Sequence, residues 1–168
     1  MTVEVDDAGW GDLVGGCVIV ARRVETGEQY VGEIPVEFFQ GELFRKKEYL
    51  DEAAKIVEEA MRSLGVSREE KVRICTGYIL SKARKRLSEK GYNVKPAKIT
   101  GETQRLAEQT FLKSLRRLGL ILDEENPKRR FRSLLEWVSE DPARERYVKT
   151  GWRSWRNKWR AVAGFEHV

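Results

Sequence analysis

The sequence has few histidine, cysteine and amide side chains, and each shortage argues against a class of site. His167 is the only histidine, which disfavours histidine-dependent triads and multi-histidine metal sites. The two cysteines, Cys17 and Cys75, lie in apolar, strand-like surroundings. We interpret them as small buried residues, not as a disulfide or a zinc site. Any catalysis therefore has to rest mainly on carboxylates, lysine or threonine.

Long hydrophobic runs are also missing. No apolar run is long enough to span a bilayer, and the N-terminus has no basic segment followed by an apolar one. Charged residues make up 35% of the chain, which contains only three Asn and four Gln. This composition is typical of a heat-adapted protein, and we expect a cytoplasmic location without membrane association.

The positive charge is concentrated near the C-terminus. Residues 127–168 carry 11 Lys+Arg against 5 Asp+Glu, or +6, whereas residues 1–126 carry 21 against 22, or −1. This asymmetry indicates a polyanion-binding segment on a nearly neutral domain. The polar turn at residues 123–127 gives a soft boundary. We predict a domain of residues 1–122 and a basic, Trp-rich helical extension of residues 123–168.

The hydrophobic pattern predicts an α/β fold. Residues 3–6 alternate apolar and acidic side chains, residues 17–21 are continuously apolar, and residues 29–36 follow a turn at Gly27. These features predict three antiparallel strands, the second covered on both faces. Residues 42–64 repeat apolar side chains with a helical period, which predicts one long amphipathic helix.

A repeated unit follows this helix. A short strand, a Thr-Gly pair and a helix occur at residues 72–78 and again at residues 94–103. Strands that alternate with helices predict parallel pairing, with the carboxyl ends of the strands at one edge. Asp6 and Asp7 end the first strand and would meet both turns there. Candidate phosphate-binding residues at this edge are Gly9, Thr76, Gly77, Thr100 and Gly101.

Two acidic positions leave alternatives open. Asp6, Asp7 and Asp12 form either a metal or phosphate site or a solvated turn before a hairpin. Glu108 borders the apolar stripe of the predicted helix 102–118, which makes it a candidate metal ligand. The alternative is that Glu108 pairs at the surface with Arg105, Lys113 or a lysine of the neighbouring helix.

Tryptophans and arginines alternate near the C-terminus. Trp152, Trp155 and Trp159 follow helical spacing, and arginines repeat it one position later. The tryptophans either stack on nucleic-acid bases or dock on the main sheet, and we favour docking with the arginines presented as a basic face. The candidate nucleic-acid-binding residues are Arg84, Lys85, Arg129, Arg130, Trp152, Arg153, Trp155, Arg156, Trp159 and Arg160.

The order of elements over residues 1–120 resembles that of the ribonuclease H-like superfamily. The segment Val5-Asp6-Asp7-Ala8-Gly9 is similar to the first-strand motif of that superfamily, an Asp followed closely by Gly. The resemblance implies a mixed sheet with crossover helices, followed here by the C-terminal helices. It also implies phosphodiester cleavage by carboxylates around two metal ions, often magnesium. Residue by residue, it places a metal ligand at Asp6, with Asp7 beside it and a helix carboxylate at Glu108.

The sequence departs from this pattern at the fourth strand. The family commonly has an acid at the end of that strand, whereas this chain has Ile74-Cys75-Thr76-Gly77. Asp7 or Asp12 could substitute for it, or the site could be incomplete.

The leading hypothesis is therefore a nuclease or related phosphodiesterase that uses Mg²⁺ or Mn²⁺ and acts on nucleic acid. The alternatives are a non-catalytic nucleic-acid-binding module and a nucleotide-binding protein. The oligomeric state stays open, with a homodimer among the options.

Overall fold

A five-stranded mixed sheet forms the centre of the molecule, in a computed structural model that describes residues 1–122 and 126–165. The strand order is β3-β2-β1-β4-β5. β1, β2 and β3 pair antiparallel, whereas β1 with β4 and β4 with β5 pair parallel. The predicted α/β fold with a mixed sheet is confirmed. The strands are β1 (Thr2–Ala8), β2 (Cys17–Arg23), β3 (Gln29–Ile34), β4 (Lys71–Cys75) and β5 (Asn93–Ala97).

Helices cover both faces of this sheet. The α-helices are α1 (Gly41–Arg45), α2 (Glu48–Ser63), α3 (Ser81–Glu89), α4 (Glu102–Arg116), α5 (Pro127–Ser139) and α6 (Arg160–Val162). Short 3-10 turns span Val36–Phe39, Tyr78–Leu80 and Pro142–Tyr147, and a π-helical turn spans Trp155–Trp159. Within the described residues, none of the helices combines the length and apolar character needed to cross a bilayer.

Strand alternation divides the apolar residues between two cores. In β2, Cys17, Ile19 and Ala21 belong to the core under α2 and α3, whereas Val18 and Val20 belong to the core under α4 and α5. This double coverage explains why residues 17–21 form an unbroken apolar run. In β1, Val3 and Val5 enter the first core, and the Glu4 carboxylate between them faces α4, where it accepts a hydrogen bond from the Thr103 hydroxyl at 2.8 Å.

The C-terminal segment completes the second core. Leu134, Val138 and Trp155 are buried there against side chains of β2 and α4. An isolated bridge joins Val14 to Val148, next to the loop between β1 and β2. The predicted boundary turn includes residues 123–125, which lie outside the described residues, as does His167.

Three helix predictions need correction. The single helix predicted over residues 42–64 breaks at Lys47, whose φ of 58° is left-handed. The break lets Phe44 and Tyr49 stack with ring centroids 5.4 Å apart, an aromatic contact that apolar periodicity alone does not reveal. The helix predicted from residue 78 begins with a 3-10 turn, and α3 starts at Ser81. The last helix widens into the π-turn, so the tryptophan stripe does not keep its predicted α-helical spacing.

Candidate functional site

Asp6, Asp7 and Cys75 form a cluster at the carboxyl ends of two parallel strands. Asp6 and Asp7 lie near the end of β1, and Cys75 is the last residue of β4. One ligand atom from each residue lies within 4.8 Å of the other two. The parallel register places Val5 opposite Ile74, which brings the next residues of both strands together. We call these three residues the Asp-Asp-Cys cluster.

The cluster brings together groups that oppose one another's ionisation. Burial raises the pKa of Asp6, and the charges of Glu4 and Glu108 raise it further. Burial and the charge of Asp6 raise the pKa of Asp7 to about 6. The pKa of the Cys75 thiol is raised by burial and by both carboxylates. A bound cation would relieve this repulsion, because it favours the charged form of every group.

The donor set can be compared with the needs of particular ions. Two carboxylates suit Mg²⁺ or Mn²⁺, with the remaining positions filled by water. A thiolate as third donor suits Zn²⁺ better than Mg²⁺, because sulfur is a softer ligand. Among the described residues this is the one group that fits a metal site, and it offers three donors. The donors therefore fit one divalent ion more readily than two.

Cys75 is the site residue that sequence reasoning missed. We interpreted it as a small buried residue, but it is only partly buried and lies beside both carboxylates. It occupies the strand end where the resemblance leads one to expect an acid. Its place in the sequence could have indicated this role, because Cys75 ends the fourth strand and the fourth strand pairs in parallel with the first.

Asp12 and Glu108, both predicted as metal ligands, lie outside the cluster and bind Arg130 instead. The Arg130 Nε and Nη2 atoms donate to the two oxygens of Asp12 at 2.7 and 3.1 Å. Its Nη1 donates to Glu108 Oε1. The alternative of an ion pair at Glu108 thus fits the structure, with a partner from α5 that the sequence analysis did not name. Arg130 thus occupies both oxygens of Asp12 and one oxygen of Glu108.

A buried lysine holds the loop that follows the carboxylates. Lys149 is completely buried, and its Nζ donates to the carbonyl oxygens of Asp12 and Gly15, both at 2.6 Å. Burial lowers the pKa of Lys149 to about 8. The rings of Phe39, Phe111 and Trp152 surround the ammonium group at 5.4–6.0 Å. The loop beside the cluster therefore depends on a residue 134 positions beyond Gly15.

The glycine turns differ in how much room they leave for a phosphate. At Gly9, an added Cβ would lie 2.5 Å from the Phe111 ring, so core side chains fill that side.

Gly77 lies beside Asp7, whose Oδ1 would be 3.6 Å from a Cβ there. The exposed Thr76 precedes it. Thr100 and Gly101 are exposed at the start of α4, and Gly101 has open space around it. The turns at Gly77 and Gly101 are thus more open than the turn at Gly9.

The predicted basic residues fall into two groups. Arg84 is engaged with the backbone, since it donates to the carbonyls of Cys75 and Gly77 at 2.5 and 2.9 Å. Arg160 bonds Glu145 at 2.7 Å. The exposed members are Lys85, Arg129, Arg153 and Arg156.

The three predicted tryptophans are buried to different degrees. Trp155 is buried in the second core with 1% exposure. Trp152 and Trp159 are half-buried at its margin. Trp155 therefore has a packing role, and only the other two offer part of their rings to a ligand.

The chain matches no protein-family model, and no curated protein matches it.

Proposed function

We propose that this protein is a divalent-metal-dependent nuclease with a ribonuclease H-like arrangement of its sheet. The observation that carries the proposal is the Asp-Asp-Cys cluster, which lies where parallel strands end. The strand order and the mixed pairing support the same assignment, because they are compatible with that fold.

The residues of the cluster have the properties that phosphodiester hydrolysis needs. Asp6, Asp7 and Cys75 would hold the ion, which supplies Lewis acidity and a more acidic bound water. With an ion bound, the carboxylates of Asp6 and Asp7 would be held in their charged form and would act as ligands. Lys85, at the surface of the neighbouring α3, supplies positive charge for a nucleic-acid backbone.

Cleavage assays on single-stranded, duplex, hybrid and branched substrates test this function. Each substrate is incubated with Mg²⁺, Mn²⁺ or Zn²⁺, and Asp6→Asn is compared with wild type. We expect Asp6→Asn to lower the rate by at least about 100-fold, because it removes a direct metal ligand. Glu69→Gln is the matched control, since Glu69 is an exposed acid just before β4, at the opposite end of that strand from Cys75. Equal cleavage by Asp6→Asn and wild type would refute the proposal.

A non-catalytic nucleic-acid-binding module is the second candidate. The Arg130 contacts with Asp12 and Glu108 favour it, because they neutralise two acids that a two-metal centre would use. This module would cleave nothing with any ion. Its binding would survive Asp6→Asn and weaken in the double variant Arg153→Ala, Arg156→Ala. Cleavage by wild type that is lost in Asp6→Asn excludes it.

A further inference from the structure

A groove with an apolar lining lies between α5 and the π-helical turn near the C-terminus. Its volume is about 470 Å³. Phe131, Leu135 and Trp159 form its apolar walls, and Lys128 and Arg132 line it as well. Lys128, Phe131, Arg132 and Leu135 recur along α5 at spacings of three and four residues, which places them on one side of the helix. We call this feature the α5 groove.

The charged residues around the α5 groove are positive. Lys128, Arg132 and Lys158 make no ion pair with any residue in the described ranges 1–122 and 126–165. None of the residues that line the groove is acidic. Arg130 of the same helix differs, because two carboxylates bind it. The groove thus combines an apolar lining with cations that are available to an anionic ligand.

The aromatic rings of the groove are arranged for further stacking. Phe131 and Trp159 meet at an interplanar angle of 64°, with ring centroids 4.8 Å apart. An edge-on pair covers at most one face of one ring and leaves aromatic surface for another flat group. The Lys158 ammonium lies over the Trp159 ring, 4.4 Å from its centre. One face of this ring is therefore in contact with a cation, and a base would stack on the remaining aromatic surface of the groove.

We propose that the α5 groove binds unpaired bases of single-stranded nucleic acid. This inference rests on the proposed nucleic-acid substrate and specifies its form. A single strand carries phosphates beside flat apolar bases, which matches a groove of aromatic rings flanked by cations. A duplex matches it poorly, because its bases stack on each other and present only their edges.

The position of the groove links it to the Asp-Asp-Cys cluster. Phe131 follows Arg130, whose guanidinium bonds Asp12 and Glu108. Glu108 lies on α4, which packs against the end of β1, since Ala107 and Phe111 share a core with Ala8. A strand held on α5 is therefore held by the helix that reaches the border of the cluster.

Fluorescence anisotropy with a labelled oligothymidine of about 20 nucleotides tests the inference. EDTA is present throughout, so that binding is measured without cleavage. A duplex of the same length and a poly-glutamate peptide are the competing ligands. We expect the single strand to bind most tightly, and Trp159→Leu to weaken it by about tenfold, because stacking is lost while an apolar side chain remains. Trp159→Phe keeps an aromatic face and is expected to restore most of the affinity.

The cations are tested by the salt dependence of binding. The double variant Lys128→Ala, Arg132→Ala should lower the slope of log K against log salt by about 1.4, since each phosphate contact to a single strand contributes about 0.7. Lys55→Ala is the control, because Lys55 is an exposed lysine of α2 on the opposite face of the sheet. Lys55→Ala should lower the slope by much less than half of the change seen in the double variant.

Several results would overturn the inference. These are equal affinity for the duplex, unchanged binding by Trp159→Leu, an equal loss in Trp159→Phe, or equally tight binding of poly-glutamate. Thermal unfolding of each variant identifies any that lose affinity by losing the fold. Binding is measured in EDTA and does not depend on cleavage. Failure of the cleavage assay with intact single-strand binding would therefore refute the nuclease and leave the groove standing.

Discussion

Replacing Asp7 by Asn should stabilise the metal-free protein, although it removes a residue of the candidate site. The pKa of Asp7 is about 6 in the fold, because burial and Asp6 disfavour its charge, against an ordinary value of 3.8. The folded state therefore binds the proton more tightly than the unfolded state. Stability is complete at low pH and falls as the pH rises from 3.8 to about 6. Asn has a similar shape and avoids this loss.

The size of the effect follows from the pKa difference. The pKa of Asp7 in the fold exceeds its ordinary value by about 2.2. This difference corresponds to about 3 kcal/mol of unfolding free energy once Asp7 is fully ionised, at 1.36 kcal/mol for each pH unit. The two-state titration gives a gain of about 3 kcal/mol at pH 8 and about 1.6 kcal/mol at pH 5. In thermal unfolding, 3 kcal/mol corresponds to about 6–12 °C for a chain of this size.

Urea unfolding of wild type and Asp7→Asn at pH 5 and pH 8, with EDTA, measures both values. Asp51→Asn is the opposite control. The pKa of Asp51 is lowered by its hydrogen bonds and ion pairs with Lys82 and Arg86, so its loss should destabilise the protein. Mn²⁺ or Zn²⁺ at about 100 times its dissociation constant should then stabilise wild type by about 2.7 kcal/mol and leave Asp7→Asn nearly unchanged. A destabilised Asp7→Asn at pH 8, or an equal gain at both pH values, would refute the reasoning.

Two further predictions concern the loop between β1 and β2. Lys149→Met should remove a pH dependence: burial lowers the lysine pKa to about 8, so wild type gains stability with rising pH, by about 2 kcal/mol between pH 7 and 9.5 relative to the variant. If the free energies of unfolding of wild type and Lys149→Met changed equally with pH across this range, burial would not disfavour the charged form of Lys149. Gly16→Ala should cost about 3 kcal/mol, because the new Cβ would lie 1.9 Å from the Ile34 carbonyl oxygen. Gly11→Ala, with no atom within 4 Å of its Cβ, is the control and should change stability by less than about 0.5 kcal/mol.

The sheet could be predicted because its determinants are local. Alternation in residues 3–6, the double coverage of residues 17–21 and the strand–turn–helix repeat each lie within a short window. They suffice for the antiparallel and parallel strand directions, because parallel strands joined by helices have few possible arrangements. The pairing of β1 with β4 in the structure then brings Asp6 and Asp7 to the end of β4.

The partners of the acidic side chains could not be predicted in the same way. Arg130 reaches Asp12 across 118 positions, and Lys149 reaches its carbonyl oxygen across 137. No periodicity connects such residues, and the basic C-terminal composition suggested only that the arginines face a polyanion. The break at Lys47 also escaped detection, because the apolar stripe continues on both sides of it.

The closure of the loop by the C-terminal segment has a consequence for the growing polypeptide. Gly15 N donates to Tyr147 O, and Lys149 N donates to Leu13 O. On the ribosome, residues 9–16 are made before residues 147–149 and lack these contacts until residue 149 has left the exit tunnel. Until then, the nascent chain carries its carboxylate pair beside an unfinished loop.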